Sequence, residues 1–423
     1  MTRQTLPPTL RFLIAARQAE LHSLESLAHT CELVTLISHL VHELQKERGY
    51  TNLFLCHPTP ERQHILDAQH QSVSTHEADV RTFLDALLTH PIGSDHGRAR
   101  LFDSIAHALY RLDGLPILRC NILAHRLQPG DASAAFTRLI SSLLAVAVET
   151  TDAAHDADIT RLLAALLNFM QGKELCGQER AYGVLGYTAG RFNPTQKVHM
   201  VMLAERQTRC FMQFEALADR QSLQAWQSLD DLHEPVLSLR GMAARTSAEQ
   251  PVDTGMAALW FDLCTARIDG MHPIECQLTT TLAQRCRQRI EAVSLDLRNH
   301  RALLDSMAAH EGSTRPTMLF DVQSRPLDVA PADGIASGME RSILDLLQAQ
   351  AERIQASDQA LDQARTALDE RRHIEKAKWI LVELHRISEA DAHAQLQHEA
   401  MRSGRTLTEV AHALLATRNA TQG

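Results

Sequence analysis

The chain has 423 residues, 44% of them hydrophobic and 22% charged, with a formal net charge of −9. The hydrophobic share excludes wholesale disorder, and 4% aromatics beside sparse β-branched residues argue against a β-sandwich or barrel. The acidic balance excludes attachment to nucleic acid or an anionic membrane through bulk charge, so any such contact has to be local.

Taken in chain order, residues 1–30 predict an N-terminal helical segment. Arg17, Glu20, His22 and Glu25 interrupt any apolar h-region there, so no signal peptide is expected. Leu33, Leu36, Ile37, Leu40, Val41 and Leu44 recur at helical spacing and predict a helix over 31–55, closed by Pro58 and Pro60. Further helical runs are predicted at 61–90, 98–127, 132–149, 156–190, 196–229, 232–246 and 254–310. Their separators carry turn residues, among them Pro91-Ile92-Gly93, Pro129-Gly130-Asp131 and Asn193-Pro194. No stretch of about 18 uncharged apolar residues occurs, so no transmembrane helix is expected. This pattern predicts an all-α protein of packed helix bundles.

Residues 311–338 lose the periodicity and carry three Pro and three Gly, which predicts a linker. From 339 to 368 a heptad seam returns, with Leu347, Ile354, Leu361 and Leu368 on one track and Leu344, Ala351, Asp358 and Arg365 on the other. Half of that seam is polar or small, so it predicts a weak coiled coil, either an exposed connector or an adjustable coupler and dimer stem. Three short helices are then predicted to the C-terminal end. Ile374, Ala377, Leu381 and Leu384 share a face of the first. Ser388 with Asp391 caps the second, Gly404 ends it in a left-handed conformation, and Thr406 with Glu409 caps the third.

Residues 371–423 carry eight Lys and Arg against six Asp and Glu, a net +2, where the preceding 370 residues carry 34 against 45, a net −11. The eight Cys lie scattered without a C-x-x-C pair, a pattern of reduced thiols in a cytoplasm.

Two segments stand out chemically. Arg48 follows Gln45-Lys46-Glu47 and precedes Gly49, and Arg180 lies in Lys173-Glu174-Leu175-Cys176-Gly177-Gln178-Glu179-Arg180 with Gly183, Gly186 and Gly190 beyond. Glycine in a helix costs about 1 kcal/mol relative to Ala, so this density implies close packing or ligand approach. A buried guanidinium offers a planar fork of donors that suits a planar oxyanion. Spacing alone favours reading each Arg as a solvated helix residue paired with a neighbouring Glu. His39-x-x-His42-Glu43 and His393 with His398 raise a metal reading, but neither forms H-E-x-x-H, and scattered structural or surface His is the expectation. No G-x-S-x-G, phosphate loop or nucleophile arrangement occurs, so no enzyme and no cofactor are expected.

Residues 173–192, with Gln45 to Gly49, Gln207, Phe214, Trp260 and Arg267-Ile268-Asp269-Gly270, resemble the NIT (nitrate- and nitrite-sensing) domain family over roughly 31–300. The tail, from Arg371-Arg372-His373-Ile374 through Trp379, Ser388 to Leu396, Glu399-Ala400-Met401 and Leu407 to Ala411, resembles the ANTAR RNA-binding domain. Trp379 stands where that family more often has Gly, and His393 where an aromatic is common. The pairing resembles NasR-type nitrate-responsive transcription antiterminators. It implies a sensing domain of two packed helix bundles over 31–310, the linker 311–338, a signalling helix over 339–368 and a three-helix ANTAR domain over 369–423. Arg48 and Arg180 match the nitrate-contacting arginines, with Arg240 as the third. Arg371, Arg372, Lys376, Lys378, Arg402 and Arg405 are the expected RNA contacts.

The implied partners are nitrate or nitrite and a leader-mRNA stem-loop, with RNA polymerase affected only indirectly, no membrane, and a cytoplasmic homodimer. A ligand-sensing scaffold whose tail binds a protein partner is the alternative. Four heavy atoms at a ceiling of about 1.5 kcal/mol each bound nitrate affinity near −6 kcal/mol. A full two-state reversal takes about 5.5 kcal/mol, so such a switch has to sit near balance or draw on two sites of a dimer together.

Overall fold

The computed structural model describes residues 8–89, 95–150, 156–247, 250–309, 373–374, 376–382, 384–385, 387 and 389–422. Every regular element among them is a helix. In order these are α1 (Pro8–Cys56), α2 (Pro60–Thr89), α3 (Asp95–Asp113), α4 (Leu115–Leu123), α5 (Pro129–Glu149) and α6 (Ala157–Thr188). Next come α7 (Pro194–Leu217), α8 (Arg220–Gln227), α9 (Asp230–Arg245), α10 (Met256–Ala309), α11 (Glu389–Ser403) and α12 (Leu407–Gln422). The predicted linker 311–338, the heptad seam 339–368, and the capping residue Ser388 lie outside the described residues.

Two predicted runs divide. The run 98–127 breaks at Gly114 into α3 and α4, and Pro116, which lacks an N–H, sits in the first turn of α4 where none is needed. The run 196–229 breaks because Asp219 turns extended and its carboxylate accepts from the N–H groups of Gln221 and Ser222, starting α8. By contrast, residues 8–56 form one helix through the 30/31 boundary. The two C-terminal signals behave as read. Gly404 has φ +65°, and Thr406 and Glu409 exchange backbone-to-side-chain bonds of 2.8 and 3.2 Å.

α6 is the central element, buried on nearly every face. Asp156 caps its start and also binds Arg289 of α10 at 2.7 Å. Its end is a Schellman turn, with Gly190 at φ +71° and Arg191 N–H donating to Gly186 O at 3.1 Å. Contacts run 45 to 174 and 49 to 180, so α1 and α6 are parallel, whereas 260 to 183 and 275 to 173 make α10 antiparallel to both. One core joins α1 to α6 with α10 around residues such as Leu33, Phe136, Leu166, Phe169 and Leu282. A smaller one gathers the far ends of α6 and α10 with α9 around Tyr187, Val236 and Trp260. These are the two packed bundles, and α6 and α10 belong to both. A third, small core holds the C-terminal helices together through Ala377, Leu381, Leu396 and Ala411.

α5 is the one helix among the described residues long and apolar enough to cross a membrane, and 61% of its apolar window is buried against the neighbouring helices. Its apolar face is therefore occupied by the protein core.

The indole of Trp260 lies directly on Gly183 and donates from Nε1 to Arg180 O at 3.0 Å. A Cβ at 183 would overlap that ring. Gly183→Ala gains about 1 kcal/mol of helix propensity but overpacks a buried contact, typically a loss of about 1–3 kcal/mol. The expected net result is a lower urea midpoint; a variant as stable as the parent would show that Trp260 is not wedged there.

Candidate functional site

The site forms where α1 and α6 run closest. Each helix sends an arginine over a glycine of the other. A Cβ at Gly49 would stand 2.6 Å from Arg180 Nη2, and one at Gly177 would overlap the Arg48 guanidinium. Both arginines are essentially inaccessible to solvent.

Their partners differ in kind. Arg48 makes a bidentate pair with Glu174, Nη1 to Oε1 at 2.6 Å and Nη2 to Oε2 at 3.0 Å. Nη1 also donates to Thr137 Oγ1 of α5 at 3.0 Å. Glu174 further accepts from Gln45 at 2.9 Å and Gln178 at 2.9 Å. Arg180 donates to Gln45 O at 2.7 Å and Thr265 Oγ1 at 2.9 Å, and its guanidinium carbon lies 5.1 Å from the Phe261 ring centroid. Among the described residues no carboxylate forms an ion pair with Arg180. Burial, and then the charge of Arg48, lower its pKa to about 10. The Nε atoms of Arg48 and Arg180 have no hydrogen-bond partner. One buried cation is thus neutralised and its neighbour is held only by dipoles and a ring face, an arrangement that gains from an incoming anion.

Arg240, expected beside them, belongs to a different cluster. It binds Glu179 through Nε and through Nη2 at 2.6 Å, and Gln207 Oε1 at 2.7 Å. Burial opposes its charge, but the Glu179 bonds and charge more than offset that and raise its pKa. Glu179 precedes Arg180 on α6, so its side chain points away from Arg180, towards α7 and α9. Arg240 is therefore satisfied at home. Arg267, buried and reaching Gln207 Oε1 at 3.2 Å, shares that cluster without a carboxylate of its own, and its Nε is unpartnered. A third buried pair, Lys173 with Glu275 of α10, lies on the other side of the Arg48 layer. Burial opposes ionisation of Glu275, but Lys173 and His272 hold its pKa below the usual carboxylate value. The sequence reading missed Gln45, Lys173, Glu174 and Arg267 as site residues, although all four lie in the motifs it singled out.

The tail docks on the sensor. Trp379 meets His107 edge-on at 4.7 Å, and the Arg111 guanidinium lies 5.9 Å from its ring. Lys376 reaches Glu149 at 4.0 Å. Lys378, expected to face RNA, is buried in this arrangement. A cavity of about 250 Å³ separates the two parts, lined by Thr137, Arg138, Gln178, Arg206, Lys378 and Trp379 among others. Thr137 and Gln178 both also touch the Arg48–Glu174 pair. His393 is buried with both ring nitrogens unpartnered; burial, and then Arg206, Lys378 and Arg209, push its pKa down. Arg402 and Arg405 stay exposed, Arg402 paired with Glu399 at 2.9 Å. Arg371 and Arg372 lie outside the described residues.

Residues 39–283 match the family described as nitrate and nitrite sensing, and residues 362–415 match the ANTAR domain. The nitrate regulatory protein of Klebsiella oxytoca is 30% identical over 413 residues, spanning 97% of this chain and 96% of its own. The solved structure of the NasR transcription antiterminator superposes with a TM-score of 0.60 at 28% identity, covering 98% of this chain and all of its own.

The Arg48 pair can be tested directly. Glu174→Gln leaves a buried guanidinium beside Arg180 without its acid, and about 3 kcal/mol of stability should go with it. Adding a small oxyanion should restore part of the loss in thermal unfolding. Melting curves identical to the parent would mean that the pair carries no weight.

Proposed function

The chain belongs to the nitrate- and nitrite-sensing (NIT) family, and on that footing we propose that it is a nitrate-responsive transcription antitermination regulator whose ANTAR domain binds RNA. It is not an enzyme; its work is a change of packing. Nitrate or nitrite binds between α1 and α6 at Arg48 and Arg180. Nitrate is planar, weakly basic and donates no hydrogen bonds, so it calls for the planar donor forks and positive charge found there. The observation that carries this reading is Arg180, buried beside a second arginine with no acid of its own. An anion entering that layer competes with Glu174 for Arg48. It gains more at Arg180, where it displaces a carbonyl and a hydroxyl. Arg240 and Arg267 then form an outer basic layer that joins the ligand only if Glu179 gives way.

The route outward is short. Arg48 grips Thr137 of α5, and Thr137 and Gln178 line the cavity beneath Trp379 and Lys378. Re-aiming Arg48 towards an anion loosens that wall. Burial, and then the nearby Arg206, Lys378 and Arg209, keep the His393 imidazole uncharged on the docked face. A docking near balance suits the roughly 6 kcal/mol that one nitrate can supply. Release exposes Lys376, Lys378 and Trp379 beside Arg402 and Arg405, with Arg371 and Arg372 completing the basic set. Cations of this kind hold phosphates, and an aromatic or guanidinium plane stacks a splayed loop base. Bound to a leader stem-loop, the domain hinders terminator formation and affects RNA polymerase only through the RNA. The 339–368 seam is the proposed signalling helix and homodimer stem, between a 31–310 sensor and a 369–423 RNA-binding domain, acting in the cytoplasm.

The test is binding of full-length protein to a leader stem-loop RNA by fluorescence anisotropy. Nitrate should tighten the complex at least about tenfold, where sulfate does not. Arg180→Ala should abolish the nitrate effect, and His107→Ala, on the sensor side of the docking contact, should raise affinity without nitrate. Affinity should fall steeply with salt. No response to nitrate sinks the sensing reading, and a flat salt dependence would favour a protein partner for the tail.

A further inference from the structure

On the flank of the sensor, α1 and α10 bring together two imidazoles and a thiol that play no part in the anion site. His39 on α1 and His272 with Cys276 on α10 place their ligand atoms within 4.8 Å of one another. The four-residue spacing of 272 and 276 puts both on one helical face. Cys276 Sγ lies 3.6 Å from His272 Nε2. In a tetrahedral site with a metal–sulfur bond of about 2.3 Å and a metal–nitrogen bond of about 2.1 Å, the N···S edge is also about 3.6 Å.

The surroundings orient these rings as metal-bound imidazoles are oriented. Glu275 lies 3.5 Å from His272 Nδ1, which leaves Nε2 facing the thiol. His76 on α2, which donates from Nδ1 to Ser72 O at 2.9 Å, stands beside this group and outside it. Its ring centroid is 6.1 Å from that of His39. His42 stacks flat on His272 at 3.7 Å and 6°, fixing the plane of the ring. The three clustered ligands are half-buried, within reach of an ion from solvent.

We propose that His39, His272 and Cys276 bind a divalent ion of the zinc class, with a solvent molecule taking the fourth position. Two imidazole nitrogens and one thiolate select borderline ions over Mg²⁺ and Ca²⁺, which want oxygen ligands. The nearest buried carboxylate, Glu275, is engaged by Lys173 and serves as the outer partner. Binding deprotonates Cys276, its proton passing to solvent, and fastens α1 to α10. The site stands independently of the anion reading.

The test uses full-length protein made without a polyhistidine tag, stripped with chelator and titrated with Co²⁺ alone, then with Zn²⁺. One equivalent of Co²⁺ should give the visible bands of a tetrahedral ion and a thiolate-to-cobalt charge-transfer band in the near ultraviolet, both erased by Zn²⁺. Cys276→Ser should lose the charge-transfer band. His272→Ala should weaken binding by at least about tenfold. His385→Ala, at an exposed position, should change nothing. Circular dichroism checks that each variant folds. Absence of the charge-transfer band from the parent protein, or its persistence in Cys276→Ser, overturns the proposal.

Discussion

Two guanidinium groups lie inside the protein, each laid across a glycine of the opposing helix, and only one of them has an acid. That contact sets the separation of α1 and α6. With it come the position of α10, which supplies Thr265, Phe261 and Trp260 around Arg180, and of α5, which supplies Thr137 to Arg48. Burying an ion without a counter-charge is expensive, and a protein keeps such an arrangement where something other than stability is served. Here the cation is held by groups that an anion can replace, so under the proposed reading the feature that weakens the ligand-free core would strengthen one with an anion bound.

The proposed coupling outward needs few steps because the sensor wall is thin at this point. A single hydroxyl, Thr137, separates the Arg48 fork from the cavity beneath the docked tail. The docking itself mixes apolar anchoring through Trp379 with one long ion pair, Lys376 to Glu149, a combination that closes without locking. A small ligand of limited binding energy can govern such a contact; it could not govern a large dry interface.

The fold class was legible because apolar positions recur at helical spacing over almost every element, and Gly404 and Thr406 with Glu409 named their own geometry. The divisions at Gly114 and Asp219 were not, since a short cap in the middle of a periodic run leaves the apolar count unchanged. Arg48 and Arg180 stood out through their glycines. Arg240 was legible as an arginine on a helix but not as a paired one, because Glu179 differs from Arg180 by one position on α6 and so by about 100° of helical rotation. The identity of Glu174 as the acid facing Arg48, and the meeting of His39 with His272 and Cys276, depend on the parallel and antiparallel packing of helices far apart in the chain, which periodicity does not encode.

The reciprocal crossing of arginine over glycine has a consequence for how this sequence can drift. Enlarging Gly49 demands a shorter residue at 180, and enlarging Gly177 demands one at 48, so neither side can move first without passing through an ill-packed intermediate. Four positions on two helices are thereby yoked into one inherited unit, and paralogues that take a different effector should have exchanged the set together.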